Sequence, residues 1–214
     1  THPPGMRPPN RIDNDLSGPD LFPASPSAAK YIATSFMEVS RDSKVYDTGM
    51  VTIIECMGRH AGWLTAAAAL ANTKGDGPDL IYVPEVDFDM DKFVADVKRI
   101  YAEKKNCIVA VSEGIHYADG TFVSEAKASG TDGFGHAQLG GLAARLADVV
   151  KAATGAKVRP IELSLLQRCA AHCASGTDMA ESFMSGNVAV ESAVSGTTDK
   201  MVGFEGTRDA NGYH

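Results

Sequence analysis

Two aspartates separated by a single residue stand in a short polar loop near the start of the chain. Asp13 and Asp15 flank Asn14, and Ser17-Gly18-Pro19 closes the loop. A general base must be ionised and close to the hydroxyl that it deprotonates, and a second carboxylate beside it can hold a metal ion or tune the pKa of the first. Aspartate and asparagine are also common in ordinary turns, because their side chains bond their own backbone. The loop alone therefore leaves a catalytic pair and a plain turn both open.

A second polar cluster follows an apolar, β-branched run at 51–56. Met57, Gly58 and Arg59 come directly after this run. Glycine lets a backbone come close to a ligand, and a guanidinium fork matches the oxygens of a phosphate. We therefore interpret Arg59 as a candidate phosphate clamp, with an exposed arginine after a strand as the alternative.

Strand-like and helical segments alternate along most of the chain. Apolar β-branched runs predict strands, and helical spacing of apolar residues predicts helices. The predicted strands are 51–56, 80–83, 107–111, 157–168 and 201–205, and the predicted helices are 27–43, 63–72, 90–104 and 137–154, with one more from about 177. This alternation predicts an α/β fold with a mainly parallel sheet and flanking helices.

Several polar residues stand at the predicted strand ends. Met57-Gly58-Arg59, Glu85 and Glu113-Gly114 each follow a different strand. Ligands of open parallel sheets bind at the carboxyl ends of the strands. We therefore expect these residues to face one crevice, although they are far apart in the sequence.

A further pair of cations lies in the strand-like run at 157–168. Arg159 and Arg168 are nine positions apart, and an odd separation places two side chains on opposite faces of an extended strand. Both could bind one phosphate only if the chain bends or if they act across a subunit boundary. Two solvated arginines are the alternative.

Composition excludes several classes of partner. The 214 residues are 44% hydrophobic, enough for a buried core, and carry a net charge of −7 from 20 basic and 27 acidic residues. This balance argues against nucleic acid and anionic membranes as partners, and the longest apolar stretch, 64–70, is far shorter than the roughly 20 residues of a membrane span.

Four cysteines without a paired framework favour reduced thiols and a cytoplasmic chain. Cys169, His172 and Cys173 lack a fourth metal ligand, so we expect no metal there.

Read in order, these motifs resemble the phosphofructokinase family, and especially its bacterial pyrophosphate-dependent branch. The resemblance runs from about 9 to 206 and includes SAAKYIATS, MGRHAGWLTAAAALA, VPEVDFD, SEGI, FGHAQLGG and IELSLLQRCAAH. It implies a phosphofructokinase-like fold containing the sugar phosphate half and part of the donor half. On this reading 1–44 is the base loop and helix of the donor-side lobe, 45–185 is the fructose 6-phosphate-binding α/β domain, and 186–214 returns toward the donor-side lobe.

The resemblance also implies a reaction. The family transfers a phosphoryl group to the 1-hydroxyl of fructose 6-phosphate, giving fructose 1,6-bisphosphate in glycolysis, with Mg²⁺ as cofactor and pyrophosphate as the expected donor. ATP as donor, a non-catalytic sugar phosphate-binding or regulatory module, and a plain interaction domain are the alternatives. A cytoplasmic homo-oligomer is implied as well. The family's glycine-rich donor loops have no counterpart in this sequence, so we interpret the chain as an internal piece that need not turn over alone.

By the same resemblance, Asp13 is the base that takes the proton of the sugar hydroxyl, Asp15 is its acidic companion, and Arg59 stabilises charge during transfer. Asp15 is at most an indirect metal ligand, and no direct ligand is expected. Glu85 would bind sugar hydroxyls, and Arg159 and Arg168 would grip the 6-phosphate, one of them from a neighbouring subunit. The substrate-binding residues implied are Arg11, Ile12, Asp13, Met57, Gly58, Arg59, Glu85, Arg159, Leu165, Gln167 and Arg168.

The sequence departs from the family pattern in three places. Asn10 and Arg11 stand where the family has lysine or glycine followed by threonine, Ala24-Ser25-Pro26 replaces a glycine-rich segment, and Leu165 stands in place of histidine or tyrosine. The first departure leaves pyrophosphate and ATP open as donors.

Overall fold

The computed structural model describes residues 6–7, 12–14, 22–124, 141–204, 206, 208–209 and 212–213. Of the predicted site residues, Arg11 and Asp15 lie outside these ranges, as do Asn10 and all but the last glycine of the FGHAQLGG segment.

Helices and strands alternate along the central part of the chain. In chain order they are β1 (Met6–Arg7), α1 (Ser25–Ser43), β2 (Met50–Cys56), α2 (Trp63–Ala67), β3 (Leu80–Tyr82), α3 (Met90–Lys104), β4 (Asn106–Ser112), α4 (Leu142–Thr154), β5 (Val158–Glu162), α5 (Leu166–Cys169), α6 (Gly176–Val194), β6 (Lys200–Met201), β7 (Arg208–Asp209) and β8 (Gly212–Tyr213). Two 3₁₀ turns, Ala68–Lys74 and Ala171–Cys173, follow α2 and α5.

The main sheet has four strands in the order β3-β4-β2-β5, and all of its neighbouring pairs are parallel. The predicted α/β fold with a parallel sheet and flanking helices is confirmed. Two small ladders accompany the sheet, β1 with β6 in parallel and β7 with β8 antiparallel. Because β2 and β4 lie in the middle and are covered on both faces, they read as continuous apolar runs and not as alternating patterns.

Each face of the sheet has its own apolar core. Helices α3 and α4 cover one face, where Phe93 and Leu146 pack with Ile53. Helices α1 and α2 cover the other face, where Phe36 and Leu64 pack with Ile54 and Ala110. The alternation of Ile53 and Ile54 between the two cores follows from the two-residue period of a strand.

Helix α1 belongs to the packing of the main sheet. Ile32 and Phe36 are fully buried and share a core with Ile54 of β2. Helix α1 therefore packs against the sheet that belongs to the 45–185 region. The assignment of 1–44 and 186–214 to a donor-side lobe stays a prediction.

One predicted strand is too long. The chain leaves the sheet at Glu162, turns at Ser164 with a φ of 45°, and forms the short helix α5. Backbone bonding stops at the end of the neighbouring strand, where Leu163 N donates to Glu55 O at 3.1 Å. The expectation of a strand over 157–168 is therefore wrong beyond residue 162, and the bend separates Arg159 from Arg168.

Helix α6 is apolar on the side that faces away from the rest of the described structure. Met179, Phe183 and Val194 are 61%, 72% and 85% exposed, whereas Asp178 and Ser185 are buried. Exposed apolar faces of this kind are typical of interfaces. Across the described ranges, no helix combines the length and the apolar character that crossing a bilayer demands.

Candidate active site

The carboxyl ends of the four parallel strands lie at one edge of the sheet. Cys56, the last residue of β2, is opposite Ser112, the last residue of β4, and Glu55 is opposite Glu162 at the end of β5. On the outer side, Tyr82 of β3 is opposite Val111. The segments that follow these strands therefore begin side by side.

Two glycines let the segment after β2 lie against the end of β4. Gly58 has a φ of +137°, a conformation that L side chains rarely adopt, and a Cβ there would overlap the carbonyl oxygen of Ala61. A Cβ on Gly114 would overlap the carbonyl oxygen of Arg59. Ser112 Oγ also donates a hydrogen bond to Gly58 O. The backbone around Arg59 is thus held by contacts that no larger residue would permit.

Gln167 joins the segment after β2 to the segment after β5. Its Oε1 accepts a hydrogen bond from Met57 N at 3.0 Å, and its Nε2 donates to Ser164 O at 3.1 Å. Gln167 is only 3% exposed, so both bonds are shielded from water. Its neighbour Arg168 is exposed and lines the same cavity as Gln167. Leu165 lies in the same turn and is 60% exposed.

Glu113 is a half-buried carboxylate that directly follows β4 at this edge of the sheet. Its Oε1 accepts a hydrogen bond from Gly58 N at 3.4 Å. Burial raises the pKa of Glu113, the Gly58 N–H lowers it, the charge of Asp13 raises it and the charge of Arg59 lowers it. Glu113 was placed at a strand end by the sequence but was not among the predicted site residues.

Glu85 lies just after β3 and bonds the backbone of the segment that follows β2. It is exposed, and its Oε1 accepts a hydrogen bond from Gly62 N at 2.7 Å, just before α2 begins. The carboxylate thus supports the far end of the loop that carries Arg59. Its binding to sugar hydroxyls stays a prediction.

The base loop lies beside the arginine-bearing turn. Ile12 lines a cavity of about 410 Å³ whose wall also contains Gln167 and Arg168. Asn14 adopts a φ of 53°, and its Oδ1 accepts a hydrogen bond from Phe22 N at 3.1 Å. This bond connects the loop to the residues just before α1. The described part of the predicted Asp13 loop is therefore next to Arg168.

Arg159 lies elsewhere in this chain. It is opposite Thr52, four positions before the end of β2, so it sits toward the amino end of the sheet. Its guanidinium forms an ion pair with Asp42 at 2.6 Å and stands 5.7 Å from the centre of the Tyr46 ring. The structure does not bring Arg159 together with Arg59 and Arg168 within one chain, and its contribution from a neighbouring subunit stays a prediction.

Comparison with known proteins decides the family. A model of the family described as Phosphofructokinase matches residues 6–193. The chain belongs to the phosphofructokinase family.

Several relatives of this phosphofructokinase chain are named as pyrophosphate-dependent enzymes. The "Pyrophosphate--fructose 6-phosphate 1-phosphotransferase" of Halomonas elongata is 44% identical over 196 residues, covering 90% of this chain and 46% of that protein. The protein of the same name from Xanthomonas campestris is 44% identical over 205 residues, covering 94% and 49%. The crystal structure of the pyrophosphate-dependent phosphofructokinase of Marinobacter aquaeolei superposes with a TM-score of 0.75 at 36% identity, covering 98% of this chain and 49% of that one. The chain thus spans about half the length of the relatives it matches.

The family resemblance implies Mg²⁺ as cofactor, and a Mg²⁺ site in the protein needs side chains that can ligate the ion. Among the residues that the structure describes, no three His, Cys, Asp or Glu side chains are grouped so that they could hold a metal ion. Asp15 lies outside those residues. The described side chains do not by themselves form a Mg²⁺ site. All four cysteines are free thiols, and Cys169 is the exposed one.

A buried glutamate lies directly under the site. Glu55 in β2 is 3% exposed, and its Oε2 accepts a hydrogen bond from Ala143 N at 2.9 Å, in the first turn of α4. Burial raises the pKa of Glu55 to about 7, the Ala143 N–H lowers it, and the charges of Glu162 and Glu113 raise it. The folded chain therefore binds this proton more tightly than the unfolded chain, whose value is near 4.5.

We expect the free energy of unfolding of Glu55→Gln to fall less than that of the natural chain as the pH rises. A carboxyl whose pKa is raised by folding contributes stability below its unfolded pKa and loses it as the pH rises through the folded value. The gain in free energy of unfolding from Glu55→Gln should be about 2 kcal/mol larger near pH 8 than near pH 5. Urea denaturation at both pH values measures it.

The exposed Glu103→Gln on α3 is the matched control, because it removes one carboxylate without removing a buried one. Equal pH dependence of stability in Glu55→Gln and the natural chain would show that Glu55 does not titrate between these pH values.

Proposed function

We propose that this chain forms the sugar phosphate side of a pyrophosphate-dependent phosphofructokinase. The observation that carries the proposal is that Ile12, next to Asp13, and Arg168, 156 positions further along the sequence, line one cavity of about 410 Å³. A proton acceptor and a phosphate-binding cation thus share one site at the carboxyl edge of a parallel sheet, where ligands of such sheets bind. The names of the relatives support fructose 6-phosphate and pyrophosphate as substrates.

Each side chain has a role that follows from its chemistry. Arg168 and Arg59 offer planar donor forks to phosphate oxygens. Glu113 accepts hydrogen bonds from sugar hydroxyls, since a partly buried carboxylate beside the base loop has acceptor capacity left after the long bond from Gly58 N. Asp13 accepts the proton of the 1-hydroxyl. These groups hold the acceptor hydroxyl in line with the donor.

The reaction transfers one phosphoryl group. The 1-hydroxyl oxygen forms a bond to one phosphorus of pyrophosphate, the bond from that phosphorus to the bridging oxygen breaks, orthophosphate leaves with the bridging oxygen, and the hydroxyl proton passes to Asp13. Phosphoryl transfer depends mainly on in-line positioning and on neutralising oxygen charge, with little covalent help from the protein. In this proposal the described residues position the acceptor hydroxyl and supply part of the positive charge that neutralises the phosphate oxygens.

Other parts of the proposal concern the whole protein. We propose 45–185 as the fructose 6-phosphate-binding domain and 1–44 with 186–214 as the parts that face a donor-side lobe. Mg²⁺ as cofactor, a homo-oligomeric assembly and a glycolytic role in the cytoplasm belong to the same proposal. ATP is the alternative donor.

We expect Arg168→Ala to weaken fructose 6-phosphate binding by about ten- to a hundredfold, since a hydrogen bond to a charged group contributes roughly 1.5–3 kcal/mol. Titration calorimetry with fructose 6-phosphate measures the affinity. Arg99→Ala is the matched control, because Arg99 is an exposed arginine on α3 whose charge meets Asp96. Equal affinities of Arg168→Ala and the natural chain would remove Arg168 from the phosphate grip.

A non-catalytic sugar phosphate-binding module is the second candidate, since Arg59 and Arg168 could grip a sugar phosphate without any transfer step. Calorimetry combined with a coupled assay for fructose 1,6-bisphosphate separates the two. Binding with turnover supports the enzyme, binding without turnover in the longest polypeptide that carries this sequence supports the module, and no binding contradicts both.

A further inference from the structure

Helix α1 lacks a capping side chain of its own. The residue at its N-cap position, Ala24, has a left-handed φ of 79° and makes no side-chain hydrogen bond. The first N–H groups of a helix have no partner within the helix and need one from elsewhere. Ser27 N, in the first turn, donates to Asp178 Oδ2 at 2.8 Å, from a residue 151 positions further along the chain.

Asp178 is part of a closed network with two serines. Ser27 Oγ also donates to Asp178 Oδ2, and the same hydroxyl oxygen accepts a hydrogen bond from Ser175 N at 2.9 Å. Ser175 is the N-cap of α6, and its hydroxyl accepts from Asp178 N at 3.3 Å. We call Ser27, Ser175 and Asp178 the Asp178 clamp. It joins the first turns of α1 and α6.

The clamp suits a carboxylate because two helix N-termini meet there. Each N-terminus carries partial positive charge, which favours an anion nearby. Asp178 is only 4% exposed, so its bonds compete little with water. A buried charge is costly unless it is paired or well hydrogen-bonded. The two bonds from Ser27 and the two helix ends therefore fix Asp178 in one position.

The clamp lies between the two halves of the candidate site. Asp178 and Ser27 line the same cavity of about 410 Å³ as Ile12 of the base loop and Arg168. On the side of the base loop, Phe22 N donates to Asn14 Oδ1, and Ser25 N donates to Phe22 O at 3.2 Å. Two hydrogen bonds thus connect Asn14, the residue next to Asp13, to Ser25 in the first turn of α1, and Ser27 in the same turn bonds Asp178.

We propose that Asp178 is a positioning residue that fixes the base loop relative to the turn that carries Arg168, so that Asp13 and Arg168 can contact the same sugar phosphate. This rests on the proposed function for the substrate, although the clamp itself does not. Asp178 does not touch the reacting atoms. It acts through Ser27 and α1 on one side and through the start of α6 on the other.

The test compares Asp178→Ala and Asp178→Asn with a matched control. Asp89→Ala removes another helix cap, since Asp89 Oδ1 accepts from Lys92 N at 2.9 Å at the start of α3. We expect Asp178→Ala to lower fructose 6-phosphate affinity about tenfold, since small misplacements of positioning groups have effects of this size or larger. Asp178→Asn, which keeps an oxygen that can accept from Ser27 N, should recover much of the affinity. Asp89→Ala should keep the natural affinity.

Amide hydrogen exchange gives a second readout that needs no ligand. Asp178→Ala should speed exchange at Ser27, and the effect should extend to Ser25 and Phe22, whereas Asp89→Ala should leave these amides unchanged. If the natural chain does not bind fructose 6-phosphate, the proposed function fails. The hydrogen-exchange measurement then tests the Asp178 clamp by itself. Faster exchange confined to α6, or natural affinity in a folded Asp178→Ala chain that does bind, overturns the proposal.

Discussion

Asp13→Asn is expected to lower turnover by about 10²- to 10⁴-fold while changing fructose 6-phosphate affinity little. Asparagine has the shape of aspartate and can still accept a hydrogen bond from the 1-hydroxyl, but it cannot take the proton as the new bond to phosphorus forms. The loss should therefore fall on kcat and not on KM. A coupled assay for fructose 1,6-bisphosphate measures both in the longest polypeptide that carries this sequence.

Asp91→Asn is the control for this change, because Asp91 is an exposed carboxylate in the first turn of α3. It should leave both kinetic constants as they are. A fully active Asp13→Asn protein would mean that another group accepts the proton, and the role of Asp13 as base would be lost.

Gly114→Ala is expected to weaken fructose 6-phosphate binding by about a hundredfold and to destabilise the chain. A methyl group at this position overlaps the carbonyl oxygen of Arg59, and this neighbour is backbone, so it cannot turn aside as a side chain would. The loop that carries Met57 and Arg59 must shift, and a shift of about 1 Å in a positioning group can cost a factor of about a hundred. Calorimetry measures the affinity, and urea denaturation measures the free energy of unfolding.

Gly186→Ala provides the matched control. Gly186 lies within α6, and a Cβ there would meet no atom within 4 Å. Alanine in a helix is favoured over glycine by roughly 0.5–1 kcal/mol, so this variant should be slightly more stable and should bind as the natural chain does. Natural affinity in Gly114→Ala would show that the position of Arg59 does not matter for sugar phosphate binding.

The fold was predictable from the sequence because its strongest signals are local. The buried strands β2 and β4 are apolar runs rich in β-branched residues, and α3 begins at Met90, directly after the N-cap Asp89, whose side chain accepts a hydrogen bond from Lys92 N. Parallel pairing then follows from the alternation of strands and helices. The position of Arg59 at the carboxyl edge was predictable for the same reason, since it directly follows β2.

The side chains that complete the site were harder to predict, because tertiary contacts decide where they point. Glu85 and Glu113 both follow strands, but Glu85 accepts a hydrogen bond from Gly62 N and Glu113 accepts one from Gly58 N. The bend at Ser164 depends on where the neighbouring strand ends, which the apolar run at 157–168 does not reveal. The bond from Ser27 to Asp178 spans 151 positions, and no sequence motif indicates that these two residues are in contact.

A crystal structure of this chain with bound fructose 6-phosphate would test the central claim most directly. The account predicts the 6-phosphate in hydrogen-bond contact with the guanidinium of Arg168, the sugar hydroxyls against Glu113, and the 1-hydroxyl facing the carboxylate of Asp13. A sugar phosphate bound away from the carboxyl edge of the sheet, or one whose 1-hydroxyl points away from Asp13, would contradict it.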